Sequence, residues 1–242
     1  MFRLVTALAA IASVALSAAE KTALLIIDVQ YDFASPNGSL PVTNGEAVIP
    51  VINHLRAKGK WDMIVTTQDW HPKEHISFYS RWKSDPSAHM YQPYKLPAST
   101  KWPADSIQVL WPDHCVQESD GAKFHKDLVV DATQDVVIKK GSNPDLDSYS
   151  ALLENDHKTE TALPKMLKDA GITKLVVVGL AEDYCVGSTA FDAKTVYKFD
   201  VTVISDATAP VAAATQETMY AKLKAAGVVY KTSAEYLNHP AC

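Results

Sequence analysis

Cysteine is scarce in this chain of 242 residues. Three are present, Cys115, Cys185 and Cys242, too few for a disulfide scaffold. A Cys115–Cys242 bridge would suit an exported chain, yet nothing in the sequence demands one. Positive charge is not in excess either. The formal net charge is -5, and no basic run or RNA-binding motif appears, so neither nucleic acid nor an anionic membrane surface is an expected partner. Internal repeats and low-complexity tracts are missing. No apolar stretch reaches the roughly 20 residues of a stable membrane span. What remains, 47% hydrophobic and 21% charged residues, is ordinary for a soluble globular protein. The length suits one domain, with room for an elaborate insertion.

The amino terminus stands apart. Met1-Phe2-Arg3 carries a positive charge, residues 4–17 are almost all Leu, Val, Ala and Ile, and the small residues Ser17, Ala18 and Ala19 precede Glu20-Lys21. That order of charged, apolar and small-residue regions is the order of a secretory signal peptide. The expectation is a signal over residues 1–19, a single domain over 20–242 and a secretory route, with a buried amino-terminal helix in a cytoplasmic protein as the alternative.

The rest of the chain alternates two periods. Residues 22–29 (Thr-Ala-Leu-Leu-Ile-Ile-Asp-Val), 63–67, 135–139, 174–179 and 201–204 are short apolar runs of strand length, and 228–230 suits a final edge strand. Continuous apolar runs mark strands buried on both faces of a parallel sheet. Between them, residues 46–58, 161–170, 186–195 and 215–226 read as helices, several stopped by glycine. Residues 72–112 keep no sustained period and read as one long irregular excursion, the kind of loop that usually serves function. The expected fold is α/β, three layers (α/β/α) around a mostly parallel sheet, with the active site beyond the carboxyl ends of the strands.

That rule selects the chemistry. The first strand runs through Asp28, an ionisable group inside an apolar run, which is costly without a partner. The second delivers Asp69 and His71, the third Lys139 and Lys140, and the fourth leads to Cys185, where a helix begins. A thiol at a helix start, beside an ammonium, is expected to have a lowered pKa and to act as a nucleophile. Asp28 would take its proton and return it to a leaving group. Either lysine could supply the ammonium, because neighbours on a strand face opposite sides. Asp69 and His71, two apart in an extended segment, could hold a metal, with His114 or His75 as third ligand. One carboxylate with imidazoles suits Zn, Fe or Mn.

Five blocks then carry a resemblance. They are 25–33 (Leu-Ile-Ile-Asp-Val-Gln-Tyr-Asp-Phe); 67–72 (Thr-Gln-Asp-Trp-His-Pro) with 75–78; 110–116 (Leu-Trp-Pro-Asp-His-Cys-Val); 140–141 (Lys-Gly) with 147–151; and 179–186 (Gly-Leu-Ala-Glu-Asp-Tyr-Cys-Val). In this order the chain resembles the nicotinamidase branch of the isochorismatase-like cysteine hydrolases, and its long excursion is similar to that of the fungal-type members. The resemblance implies Cys185 as nucleophile with Asp28 and Lys140, the Lys-Gly pair selecting Lys140 over Lys139. It implies Asp69, His71 and His114 as ligands of one divalent metal, Zn first with Fe or Mn as alternatives, and places His75 behind them. It also implies a cis Leu180–Ala181 peptide, an oxyanion site at the N–H groups of Ala181 and Cys185, and a pyridine pocket lined by Phe33, Trp111 and Tyr184.

The expected activity is hydrolysis of nicotinamide to nicotinate and ammonia through a thioester, in salvage or degradation of nicotinamide. The expected partner is that small molecule, with a homo-oligomer as an option. Two other readings stand beside it. One is a related amidohydrolase acting on a ureido or carbamoyl compound, whose family members lack the metal motif. The other is a secreted binding protein without catalysis.

Overall fold

A computed structural model describes residues 20–102 and 104–238. The segment read as a signal, residues 1–19, and Cys242 lie outside the described residues. Eight strands form: β1 (Lys21–Ile27), β2 (Met63–Asp69), β3 (Pro93–Lys95), β4 (Ile107–Val109), β5 (Val136–Lys140), β6 (Ile172–Leu180), β7 (Asp200–Ala209) and β8 (Val229–Lys231). Six of them make one sheet in the order β5-β2-β1-β6-β7-β8, with every neighbouring pair parallel. The remaining two, β3 and β4, pair antiparallel as a separate hairpin.

The apolar run of β1 shows why the fold has three layers. Side chains alternate across a strand, and both faces of β1 are covered. Leu24 and Ile26 join one core with Ile49, Ile52 and Leu55 of α2 (Val48–Lys58) and Tyr236 of α7 (Ser233–Asn238). Ala23, Leu25 and Ile27 join the other with Leu163 and Leu167 of α4 (Leu163–Asp169), Ala190 and Ala193 of α5 (Gly187–Thr195), and Leu223 of α6 (Ala213–Ala225). The expected α/β/α sandwich is present. Among the described residues no helix is long and apolar enough to cross a membrane.

Several details differ from the sequence reading. The first strand stops at Ile27, and Asp28 lies one residue beyond it with φ 48°. Asp28 is therefore a strand-end residue and not a member of the strand. Strand β7 runs to Ala209, well past Ile204, because polar Ser205 and Asp206 bulge outward before Thr208 and Ala209 rejoin β6. The helix expected from residue 186 begins earlier. A π-helical turn, Glu182–Val186, contains Cys185 and runs straight into α5. Two short helices were not expected, α1 (Tyr31–Ala34) and α7. The excursion is irregular as expected, but it also carries α3 (Tyr79–Trp82) and the β3–β4 hairpin.

One glycine is fixed by the close approach of β1 and β6. Gly179 pairs with Ile27 and adopts φ +111°, and a Cβ there would stand 2.1 Å from the Ile27 carbonyl oxygen. Gly179→Ala is expected to destabilise the protein by more than about 3 kcal/mol, read from urea unfolding midpoints. An unchanged midpoint would contradict this account of the strand pair.

Candidate active site

The carboxyl ends of β1, β2 and β5 and the turn after β6 meet at one place. Register brings Asp69, the last residue of β2, beside Lys140, the last of β5. Lys139 points to the opposite face, exposed, with its ammonium 3.4 Å from the centre of the Trp70 ring. The lysine that reaches the site is thus Lys140, buried to 2%.

Lys140 Nζ stands at the centre of the cluster. It donates to Asp69 Oδ1 at 2.5 Å and to the Ser148 carbonyl at 2.8 Å, lies 3.0 Å from Asp28 Oδ2, and points at Cys185 Sγ at 3.4 Å. Burial alone would lower the lysine pKa, but the charges of Asp28 and Asp69 outweigh it and hold the ammonium protonated. Asp28 is fully buried, and Thr67 binds it twice. The Thr67 hydroxyl donates to Oδ1 at 2.5 Å and accepts from the Asp28 N–H at 3.0 Å. Oδ2 faces the Lys140 ammonium at 3.0 Å and the Cys185 thiol, which can donate to it. Burial, only partly offset by Lys140, pushes the Asp28 carboxyl up to about 6.

The expected lowered thiol pKa is overturned. Burial pushes Cys185 well above its usual value, Lys140 pulls the other way, and the carboxylates Asp69 and Asp28 add to the rise. Cys185 therefore favours the neutral thiol. A single ammonium shared with two carboxylates does not compensate desolvation of a thiolate.

Beside this group lie Asp69, His71 and His114, whose ligand atoms all fall within 4.8 Å of one another. Each histidine anchors Nδ1 on a backbone carbonyl: His71 donates to Gly141 at 2.8 Å and His114 to Pro112 at 2.7 Å. That leaves each Nε2 turned toward Asp69 Oδ2, at 3.5 Å and 3.9 Å. Carbonyl-anchored imidazoles with the second nitrogen free are how proteins orient metal-binding histidines. Burial, then the neighbouring His71, holds His114 down at about 4, so it is the neutral imidazole a metal requires. Burial also lowers His71, but the charge of Asp69 outweighs it and the net shift is upward. The donor set fits one divalent metal ion. His75 is stacked on His71 at 4.0 Å, and both its nitrogens are engaged, Nδ1 with Ser77 Oγ at 2.7 Å and Nε2 with the Leu146 carbonyl at 3.3 Å. It backs the ligands, and with His71 and Asp147 it forms a second buried group whose ligand atoms lie within 4.8 Å of one another.

Both groups border one narrow cavity. Phe33, Trp111 and Tyr184 line it, as do Asp69, His71, His114, Ala181 and Cys185. Trp111 and Tyr184 meet edge to face at 4.8 Å, and Phe33 leans on His114 at 5.3 Å. Asp28 and Lys140 do not line the cavity; they are buried behind it. The Leu180–Ala181 peptide is cis.

Sequence reasoning missed Leu40, Val211 and Tyr149 in the lining, and the residues that hold the site from behind. Gln30 is one: its amide brackets the Asp69 backbone, donating to the carbonyl at 2.8 Å and accepting from the N–H at 2.8 Å. Asp32 is another, accepting from the N–H of Cys115 at 2.7 Å and of Ser39 at 3.1 Å. Both stand in the block that contains Asp28, so motif membership was the available signal. Leu40 and Val211 carried none.

With fold and site described, the family follows. The chain belongs to the isochorismatase family, whose domain model matches residues 22–235. More narrowly, it is similar to the nicotinamidase of Escherichia coli, 37% identical over 88% of this chain and 96% of that protein. It is also similar to the structure of PnC1 from L. infantum in complex with nicotinate, with a TM-score of 0.75 and 35% identity over 89% of this chain and 94% of that one. A third likeness is to the pyrazinamidase of Pyrococcus horikoshii in complex with zinc, with a TM-score of 0.67 and 30% identity over 88% and 99% of the two chains.

Gly141, beside Lys140, tests the metal group. A Cβ there would lie 2.4 Å from His71 Cε1, and the residue holds φ +63°. Gly141→Ala is expected to displace the imidazole and weaken zinc binding roughly tenfold to hundredfold, the loss typical when a ligand's support is disturbed. Competition with a chromophoric chelator measures it, and unaltered affinity would remove His71 from the ligand set.

Proposed function

We propose that the protein hydrolyses nicotinamide to nicotinate and ammonia through a thioester on Cys185. The observation that carries this is the sharing of one aromatic cavity by the Cys185 thiol and the Asp69, His71 and His114 donors. A nucleophile and a metal site facing a slot for a flat ring suit an aromatic amide. The ureido or carbamoyl reading gives no use to the metal donors, and the binding-protein reading gives none to a buried lysine aimed at a thiol.

The substrate's ring enters between Phe33, Trp111 and Tyr184. A divalent metal, zinc first, held by Asp69, His71 and His114, would take the pyridine nitrogen and fix the ring's orientation. The carboxamide then lies at Cys185. Asp28, whose carboxylate faces the thiol, accepts the thiol proton as Sγ attacks the carbonyl carbon. Lys140 keeps the charge of the pair balanced. The N–H groups of Ala181 and Cys185 receive the oxyanion. Asp28 passes its proton to the amine, the C–N bond breaks and ammonia leaves. A water deprotonated by Asp28 attacks the thioester, and the proton returns to Sγ as nicotinate departs.

The direct test is ammonia release from nicotinamide. Wild-type protein is expected to turn over, to stop when a chelator strips the metal and to recover on adding zinc. Cys185→Ala should lose turnover by a factor of at least about 10⁴ while still binding zinc. Full activity in that variant, or no release from metal-replete wild type, would overturn the reading.

The pH dependence follows from Asp28. Its carboxyl is raised to about 6, and only the ionised form can take the thiol proton. Activity is therefore expected to be full above this value and to fall as pH drops through it, with kcat/KM declining tenfold per pH unit, the slope of a single proton. An acid limb near the ordinary carboxylate value of about 4 would show that Asp28 is not the base.

A further inference from the structure

The excursion before Trp111 contributes more than the wall residue that ends it. Tyr91 lies in it with φ 65°, the left-handed region, where a bulky side chain is strained and glycine or asparagine is at ease. Burial does not account for the aromatic there, since Tyr91 is 49% exposed. Its backbone is stapled to the residue just before Trp111. The Tyr91 N–H donates to the Leu110 carbonyl at 2.6 Å, and the Leu110 N–H donates to Gln92 at 3.1 Å. Its ring meets Trp111 edge to face, centroids 6.0 Å apart at 79°.

Trp111 is thus held from two directions. Within the site, its indole N–H donates to the Tyr149 hydroxyl at 3.2 Å and its ring meets Tyr184 at 4.8 Å. From the rim, the half-exposed Tyr91 ring is its aromatic contact. Trp111 itself is only 4% exposed.

We propose that Tyr91 is a positioning residue for the aromatic slot, backing the Trp111 indole from the rim and so fixing how tightly the slot grips the ring of its substrate. This rests on the nicotinamide reading above. Tyr91 touches no reacting group, so its contribution is to binding shared by ground state and transition state. Removing such a contribution raises KM and leaves kcat in place. The strained backbone is tolerated because the ring is needed at that spot.

Three variants separate this role from simple loop folding. Tyr91→Phe keeps the ring, Tyr91→Ala removes it and keeps the strained backbone, and Tyr91→Gly removes it and relieves the backbone. Steady-state ammonia release from nicotinamide and thermal melting are measured for each, with zinc-loaded protein. Tyr91→Phe is expected to match wild type. Both Tyr91→Ala and Tyr91→Gly should raise KM roughly threefold to tenfold, the range set by losing one aromatic pair contact, with kcat nearly unchanged. Tyr91→Gly should melt no lower than Tyr91→Ala. Wild-type KM in both truncations, or KM restored in Tyr91→Gly alone, would overturn the proposal. A wild type that releases no ammonia would instead overturn the parent reading.

Discussion

A single buried ammonium holds the site together. Lys140 meets Asp28, Asp69 and the Ser148 carbonyl, and faces the Cys185 sulfur. Taking one lysine and two carboxylates out of water is expensive, and only dense pairing offsets it. Removing the ammonium would strand two negative charges in apolar surroundings, a loss of about 3–5 kcal/mol for a broken buried pair. The same ammonium joins two functions. Asp69 gives Oδ1 to Lys140 and turns Oδ2 toward His71 and His114, so the nucleophile's partner and the metal's partner are one electrostatic unit. The state of the metal site therefore bears on how firmly Lys140 is available to Asp28 and the thiol.

The sheet explains why these groups meet at all. Its order reverses between β1 and β6, with β2 and β5 on one side and β7 and β8 on the other. In parallel sheets a crevice opens at that reversal, beyond the carboxyl ends of the strands. Asp28 and the turn bearing Cys185 flank it, and the register of Ile27 with Gly179 sets them side by side. Asp69 and Lys140 end the next two strands. Far-separated residues converge because parallel strands all deliver their carboxyl ends to one edge. The residues behind them are polar for a related reason. Strand ends release unpaired backbone groups, and Thr67, Gln30 and Asp32 bind those groups near the site.

What could be read from the sequence divides along the same physical line. Strand runs such as 22–29 and 174–179 were legible because burial on both faces keeps their interiors apolar, and Asp28, Asp69, Lys140 and Cys185 were legible as polar breaks at or beyond their ends. The fold class followed from alternation alone. The metal histidines needed motif blocks, since His71 and His114 lie in segments without period. Thr67, Gln30 and Asp32 act by hydrogen bonds to distant backbone or side-chain groups, which leave no periodic pattern. The extension of β7 to Ala209 was hidden by the polar bulge at Ser205 and Asp206. The early start of the helix at Glu182 was hidden because Glu and Asp beside an apolar strand look like a loop. Leu40 and Val211 reach the cavity from loops whose course no local rule fixes.

The raised thiol pKa, the one electrostatic expectation that failed, changes how the nucleophile should be viewed. A thiolate poised beside a helix end would react with any oxidant or disulfide that reached it. Cys185 instead rests as a buried neutral thiol, 6% exposed, with Asp28 raised enough to take its proton. In the proposed reaction the proton moves to Asp28 as Sγ bonds to carbon, so no bare thiolate need be buried. Exchange with a disulfide depends on the thiolate fraction, which burial of Cys185 suppresses. In the proposed reaction, the burial that disfavours a free thiolate also protects the thiol between turnovers.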